Sequence, residues 1–174
     1  MLNSDFGFIN QVFLGGAHIP WLENGLLAKL SILGVNLWLG FPYMFLVCLG
    51  ALQSLPGDIE EAAKIDGASG LRTVWSIKLP LVLQSTVPLL IASFAFNFNN
   101  FSLIYMLTGG GPNYPGLSVP VGESDILISM VYKIAIDSGS PNYGLASAMS
   151  IVIFIVVGVI AWLGFRQTKT LEEL

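Results

Sequence analysis

Charged side chains are scarce in this sequence: seven basic and eleven acidic residues make up 10% of the chain, against about 25% in an ordinary soluble domain. Cysteine and histidine are scarcer, with one of each. Each shortage excludes a class of chemistry. A single cysteine, Cys48, forbids a disulfide within the chain, and in its apolar setting it reads as a small apolar filler. With His18 equally isolated, no Cys/His/Asp/Glu cluster has ligand spacing, so neither a metal site nor a cofactor is expected. The sequence contains no GxSxG, HExxH or GxxxxGK[ST], which excludes a nucleophile elbow, a zincin helix and a nucleotide-binding P-loop. No catalytic residue is expected. The net charge is −4, and the dispersed basic residues form no patch for nucleic acid.

Apolar residues take the place of charge. They make up 54% of the 174 residues, and the mean hydropathy is +0.75. A domain of this size has no interior large enough for that much apolar surface, so the excess faces lipid. No charge falls between Lys29 and Asp58, between Lys78 and Glu123, or between Asp137 and Arg166. A helix needs about 20 apolar residues to cross roughly 30 Å of hydrocarbon. Each tract is long enough, which predicts an all-α integral membrane protein with transmembrane helices over 30–52, 81–107 and 145–165. Buried helices of a soluble protein would need polar outer faces that these tracts lack.

The few charges also orient the chain. Lys64, Arg72 and Lys78 lie between the first two spans, and Arg166 and Lys169 follow the third. Five of seven basic residues therefore share one side, which the positive-inside rule makes cytoplasmic. The expected order is an outer N-terminal segment 1–29, a cytoplasmic loop 53–80, an outer segment 108–143 and a cytoplasmic tail 166–174. The first residues lack the basic start and continuous apolar run of a signal peptide, although the N-terminus is placed outside. The expectation is a piece of a longer membrane protein with further spans upstream.

The loop 53–80 is longer than a connection requires. Asp58 suits the N-cap of a short helix through Asp66, Glu60 and Lys64 are spaced for an i,i+4 pair, and Gly67 supplies the stop. Ser69 suits the cap of a second helix whose Leu71, Val74 and Trp75 share a face. Such a helical pair either lies flat on the membrane or docks on a cytoplasmic partner, and the residues alone leave both open.

A resemblance decides between them. Glu61-Ala62-Ala63, three residues, Gly67, nine residues and Ile77-Lys78-Leu79-Pro80 resemble without a gap the EAA loop of bacterial ABC importer permeases. Further matches, over 36–43 (NLWLGFPY), 92–100 (ASFAFNFNN) and 108–112 (TGGGP), resemble the larger permease subunits of maltose/maltodextrin importers and extend the similarity from about Phe6 onward. In that family the loop is a coupling helix seated on the ATP-binding subunit. The resemblance therefore implies that Glu61, Ala62, Ala63 and Gly67 contact an ATPase, and that ATP hydrolysis belongs to that partner. It also implies a sister permease and a periplasmic sugar-binding protein. The family's N-terminal half is absent here.

Polar residues within spans usually face a bundle interior or a water-filled path. Asn36, Gly40 and Tyr43 fall at i, i+4, i+7, and Ser93, Asn97 and Asn100 repeat that spacing beside Phe96. Amides that donate and accept, together with aromatic faces, suit a neutral polyhydroxyl solute, whereas a charged one would call for Arg, Lys or carboxylates. The alternative is that these asparagines only bond between helices. The resemblance favours the sugar and implies a substrate site of Asn36, Leu39, Gly40, Tyr43, Phe96, Asn97 and Asn100.

Pro42 and Pro88 are placed to kink their spans, Pro80 suits the first turn of the second span, and Gly109 to Pro112 read as a helix stop. A short amphipathic helix is expected over 124–136, capped by Ser124. It lies at the outer face, dips into the bundle or packs on the spans. The function implied is the inner-membrane permease part of a carbohydrate ABC importer. The competing reading is an intramembrane structural or assembly protein. With faces that require further helices, the chain by itself is expected to self-associate.

Overall fold

The structure, a computed structural model, describes residues 1–117, 119 and 121–172, and the side chains through Arg166. It is helical, and among the described residues the only strand-like pairing is an isolated bridge between Asn113 and Gly122. Seven α-helices follow one another: α1 (Gly25–Gln53), α2 (Gly57–Ile65), α3 (Gly70–Thr73), α4 (Leu79–Phe98), α5 (Phe101–Leu107), α6 (Leu127–Tyr132) and α7 (Tyr143–Glu172). Among the described residues three stretches are long and apolar enough to cross a membrane: Gly25–Gln53, Gly70–Phe98 and Tyr143–Arg166. The all-α membrane class follows. The last two residues of the tail expected over 166–174, and the side chain of Lys169, lie outside the described residues.

The helices differ from the sequence expectation where local polar chemistry competes with the apolar pattern. The second was expected to run unbroken to Leu107, but α4 ends at Phe98 and Asn100 starts α5. Its start differs as well. Helical structure begins at Gly70, and a π-helical turn over Val74–Lys78 joins α3 to α4. Pro80 has no N–H for the Ser76 carbonyl, and the wider turn, in which the Leu79 N–H bonds Val74 O, absorbs that loss without ending the helix. Pro42 and Pro88 both lie inside helices.

The chain divides into two compact units. The first comprises Met1–Leu39 and Phe96–Val157. Its core is Val131, Ile134, Ala146 and Ile153, with Phe98, Met130, Met149 and Val157 packed against it. The second comprises Gly40–Ala95 and Gly158–Leu174. Here Ala63, Thr73, Val82 and Thr86 are buried, and Gly164 approaches Ile91 so closely that an added Cβ would stand 2.9 Å from Ile91 Cδ1.

Candidate functional site

The residues expected to bind solute fall into two groups. Asn36, Leu39, Gly40 and Tyr43 lie on the unbroken helix α1, so their spacing does place them on one face. Asn36 is half-buried, while Leu39 and Tyr43 are 64% and 55% exposed. A Cβ at Gly40 would meet nothing within 4 Å, which leaves a notch between an amide and a phenol. No charged group lies on this helix between Lys29 and its end.

Phe96, Asn97 and Asn100 form the second group, at the corner between α4 and α5. The corner arises because three consecutive backbone N–H groups turn inward: Asn99 N donates to Phe96 O (3.2 Å), Asn100 N to Asn97 O (3.2 Å) and Phe101 N to Asn99 O (2.8 Å). Asn100 then caps α5 by accepting from Leu103 N–H at 3.3 Å. Its side-chain oxygen thus has a structural partner within the chain. Phe96 is 69% exposed, and Asn97 is exposed as well. Next to the corner, the rings of Phe101, Tyr105 and Tyr132 cluster at centroid distances of 4.8 to 5.3 Å, Phe101 stacked on Tyr105 and Tyr132 meeting Tyr105 edge-on. A hydrogen bond with the Tyr105 hydroxyl raises the Tyr132 pKa above its ordinary value.

The segment 53–80 folds from its own local signals. Helix α2 starts after Pro56 with no side-chain cap; Asp58, expected as N-cap, lies instead in the first turn, where its charge still suits the helix dipole. The helix ends in a Schellman motif: Gly67, at φ +73°, donates to Lys64 O (3.1 Å), and Ala68 donates to Ala63 O (2.9 Å). Ser69 caps α3 as expected, accepting from Arg72 N–H at 3.4 Å. Glu60 pairs with Lys78 rather than with Lys64, and this hydrogen-bonded partner holds its carboxyl below the usual carboxylate range. Glu61, Ala62 and Gly67 are exposed, whereas Ala63 is buried at 4% and therefore packs the helix instead of presenting a surface.

One cluster was not anticipated. Lys133 and Asp125, with side chains 5% and 4% exposed, form an ion pair at 2.7 Å. Asp125 also accepts from Gly122 N–H (2.7 Å) and from the Ser129 hydroxyl (2.8 Å). Gly110 of the TGGGP run lies against this pair, and Gly122 lies against Gly110. A Cβ on Gly110 would stand 2.0 Å from Asp125 Oδ1, and one on Gly122 would stand 2.1 Å from Gly110 O. Ser124, expected to cap the helix over 124–136, instead bonds Thr108 and the Gly111 carbonyl. That helix starts later, at Leu127, where Ser129 Oγ accepts from Ile126 N–H, and it closes with a π-helical turn over Lys133–Asp137. The available signal was the spacing of Asp125, Ser129 and Lys133 at i, i+4, i+8 inside an apolar run.

Among the described residues no group of three or more His, Cys, Asp or Glu is arranged to hold a metal ion. Residues 7–169 match the family of binding-protein-dependent transport system inner membrane components. The chain belongs to this family. Membership places it in the inner membrane, in agreement with the three long apolar helices. Family members similar to it include the maltose/maltodextrin transport system permease protein MalF of Vibrio parahaemolyticus, 47% identical over 99% of this chain and 34% of the relative. The proteins of the same name from Yersinia pestis and Salmonella typhimurium are 43% and 41% identical over 97% of the chain. The chain therefore spans about one third of the length of the relatives it matches.

Proposed function

We propose that the chain forms part of the pore of an ABC importer for a neutral carbohydrate of the maltose/maltodextrin type. The observation that carries this reading is the uncharged amide-and-aromatic face of α1, with its Gly40 notch, in a family member whose α4 ends in a second such group at Phe96, Asn97 and Asn100. Amides exchange hydrogen bonds with sugar hydroxyls, and aromatic rings cover the apolar face of a pyranose. The similar MalF proteins support the same solute class.

Glu61, Ala62 and Gly67 offer an exposed contact for a cytoplasmic ATPase, with Ala63 supporting it from beneath. Closure of the ATPases would pull on α2 and rotate the long helices, switching the sugar site between inward and outward access. The chain itself catalyses nothing in this scheme. A sister permease and a periplasmic sugar-binding protein complete the proposed assembly.

Sugar-stimulated uptake by the assembled transporter tests the reading. Asn97→Ala abolishes it on this proposal. Unchanged uptake would remove the corner from the site and favour asparagines that only join helices.

A further inference from the structure

The first 24 residues make a closed knot around one amide. Asn10 is 1% exposed. Its Nδ2 donates to Ser4 O (2.9 Å) and Ile19 O (3.1 Å), and its Oδ1 accepts from Trp21 Nε1 at 2.7 Å. Both amide protons and the carbonyl oxygen of this buried side chain thereby find partners within the segment. The knot is tied to the start of α1. Asn24 accepts from Leu26 and Leu27 N–H at 3.1 and 3.2 Å, and Ser31 Oγ donates to Trp21 O at 3.5 Å.

The depth of the knot follows from Lys29. Its ammonium lies 3.5 Å from Glu123, with the two side chains 49% and 37% exposed. A half-exposed ion pair is costly in hydrocarbon, so α1 leaves the acyl region at about this level. The knot, fastened to the turns on either side of Lys29, is held where headgroups meet acyl chains.

Its outward side carries a cluster of large apolar side chains beside the exposed polar groups of Asp5, Gln11 and His18. Phe6 is 88% exposed, Phe8 49%, Val12 60% and Phe13 74%. Phe8 and Phe13 meet edge to face at 5.8 Å, because the π-helical turn Ile9–Phe13 brings residues five apart onto one side. The pattern is inverted relative to a water-soluble loop, with an amide inside and phenylalanines outside. We propose that Phe6, Phe8, Val12 and Phe13 rest in the lipid interface where α1 enters the membrane, fixing the depth of that helix. The occupant is the phospholipid headgroup–acyl boundary, in which amphipathic segments bury their apolar faces by roughly 5–10 Å. The proposal needs membrane residence but not the sugar reading.

Nitroxide labels test it. Phe6→Cys and Phe13→Cys, each in a Cys48→Ser background, are labelled in the assembled permease in phosphatidylethanolamine/phosphatidylglycerol vesicles, and collision with oxygen is compared with collision with a water-soluble nickel chelate. Both replaced side chains are exposed, so the knot keeps its Asn10 bonds. Oxygen access exceeding nickel access at both positions is the expected result, with the opposite order at Glu23→Cys. Dominant nickel access at positions 6 and 13 would place the face in water and overturn the proposal. Exclusion of both reagents would show a polypeptide covering the face and overturn it equally.

Discussion

At the residue scale, the informative side chains are the few polar ones that apolar surroundings oblige to find partners. Lys133 and Asp125 satisfy one another inside the first unit, and the Ser129 hydroxyl and Gly122 N–H complete the carboxylate. Removing one partner leaves a buried charge uncompensated, whereas removing both does not. Lys133→Met is therefore expected to destabilise the protein by about 3–5 kcal/mol, and Asp125→Asn/Lys133→Met to recover part of that loss, read as thermal unfolding in detergent. Glu60 behaves differently because it is half-exposed. Lys78 holds its carboxyl below the ordinary value of 4.5. A depressed folded pKa contributes stability that is complete above the unfolded value and is lost as pH falls through the lower folded one. Amide exchange over Gly57–Ile65 should show wild type better protected than Glu60→Gln at pH 6, with the difference vanishing as the pH is lowered below 4.5 and through the depressed value.

At the element scale, helix ends were the hardest feature to read from sequence. Asn100 lies in an apolar run that continues through Phe101–Leu107, so periodicity alone carries the span straight on; the break depends on one amide capping a new helix. Asp58 and Ser124 looked like caps, but in the fold the first is displaced by Pro56 and the second is taken by Thr108 and Gly111. Gly67 was legible, since a glycine after a short polar helix has few other roles. Its positive φ with open space around it separates backbone strain from crowding. Gly67→Ala should cost about 1 kcal/mol in thermal stability and Gly67→Asn less, because asparagine tolerates the left-handed region. A Cβ on Gly122 would instead strike backbone.

At the scale of the whole molecule, the described side chains bury little and expose much. Trp38 is 80% exposed, Phe154 77% and Met106 87%, and the candidate spans are almost unburied within the chain. Such surfaces face lipid or further helices. A charge at the middle of α7 should therefore oppose insertion: Phe154→Lys is expected to raise the apparent insertion free energy of that segment by about 2.5–3.5 kcal/mol, measured as the inserted fraction in a translocation assay. The chain covers about a third of its relatives' length.

The sequence by itself determined the solvent, the helical class, the short helix over 57–65 with its glycine stop, and the uncharged stripe on α1. These depend on composition and on spacing along one helix, which the chain carries locally. The tertiary structure alone decided that Ala63 turns inward while Glu61 and Ala62 face out, and that Gly110 of the TGGGP run lies against the buried Asp125–Lys133 ion pair. Each of these depends on which groups meet across separated parts of the chain, and a polar atom's partner, unlike its polarity, is not written in its neighbours.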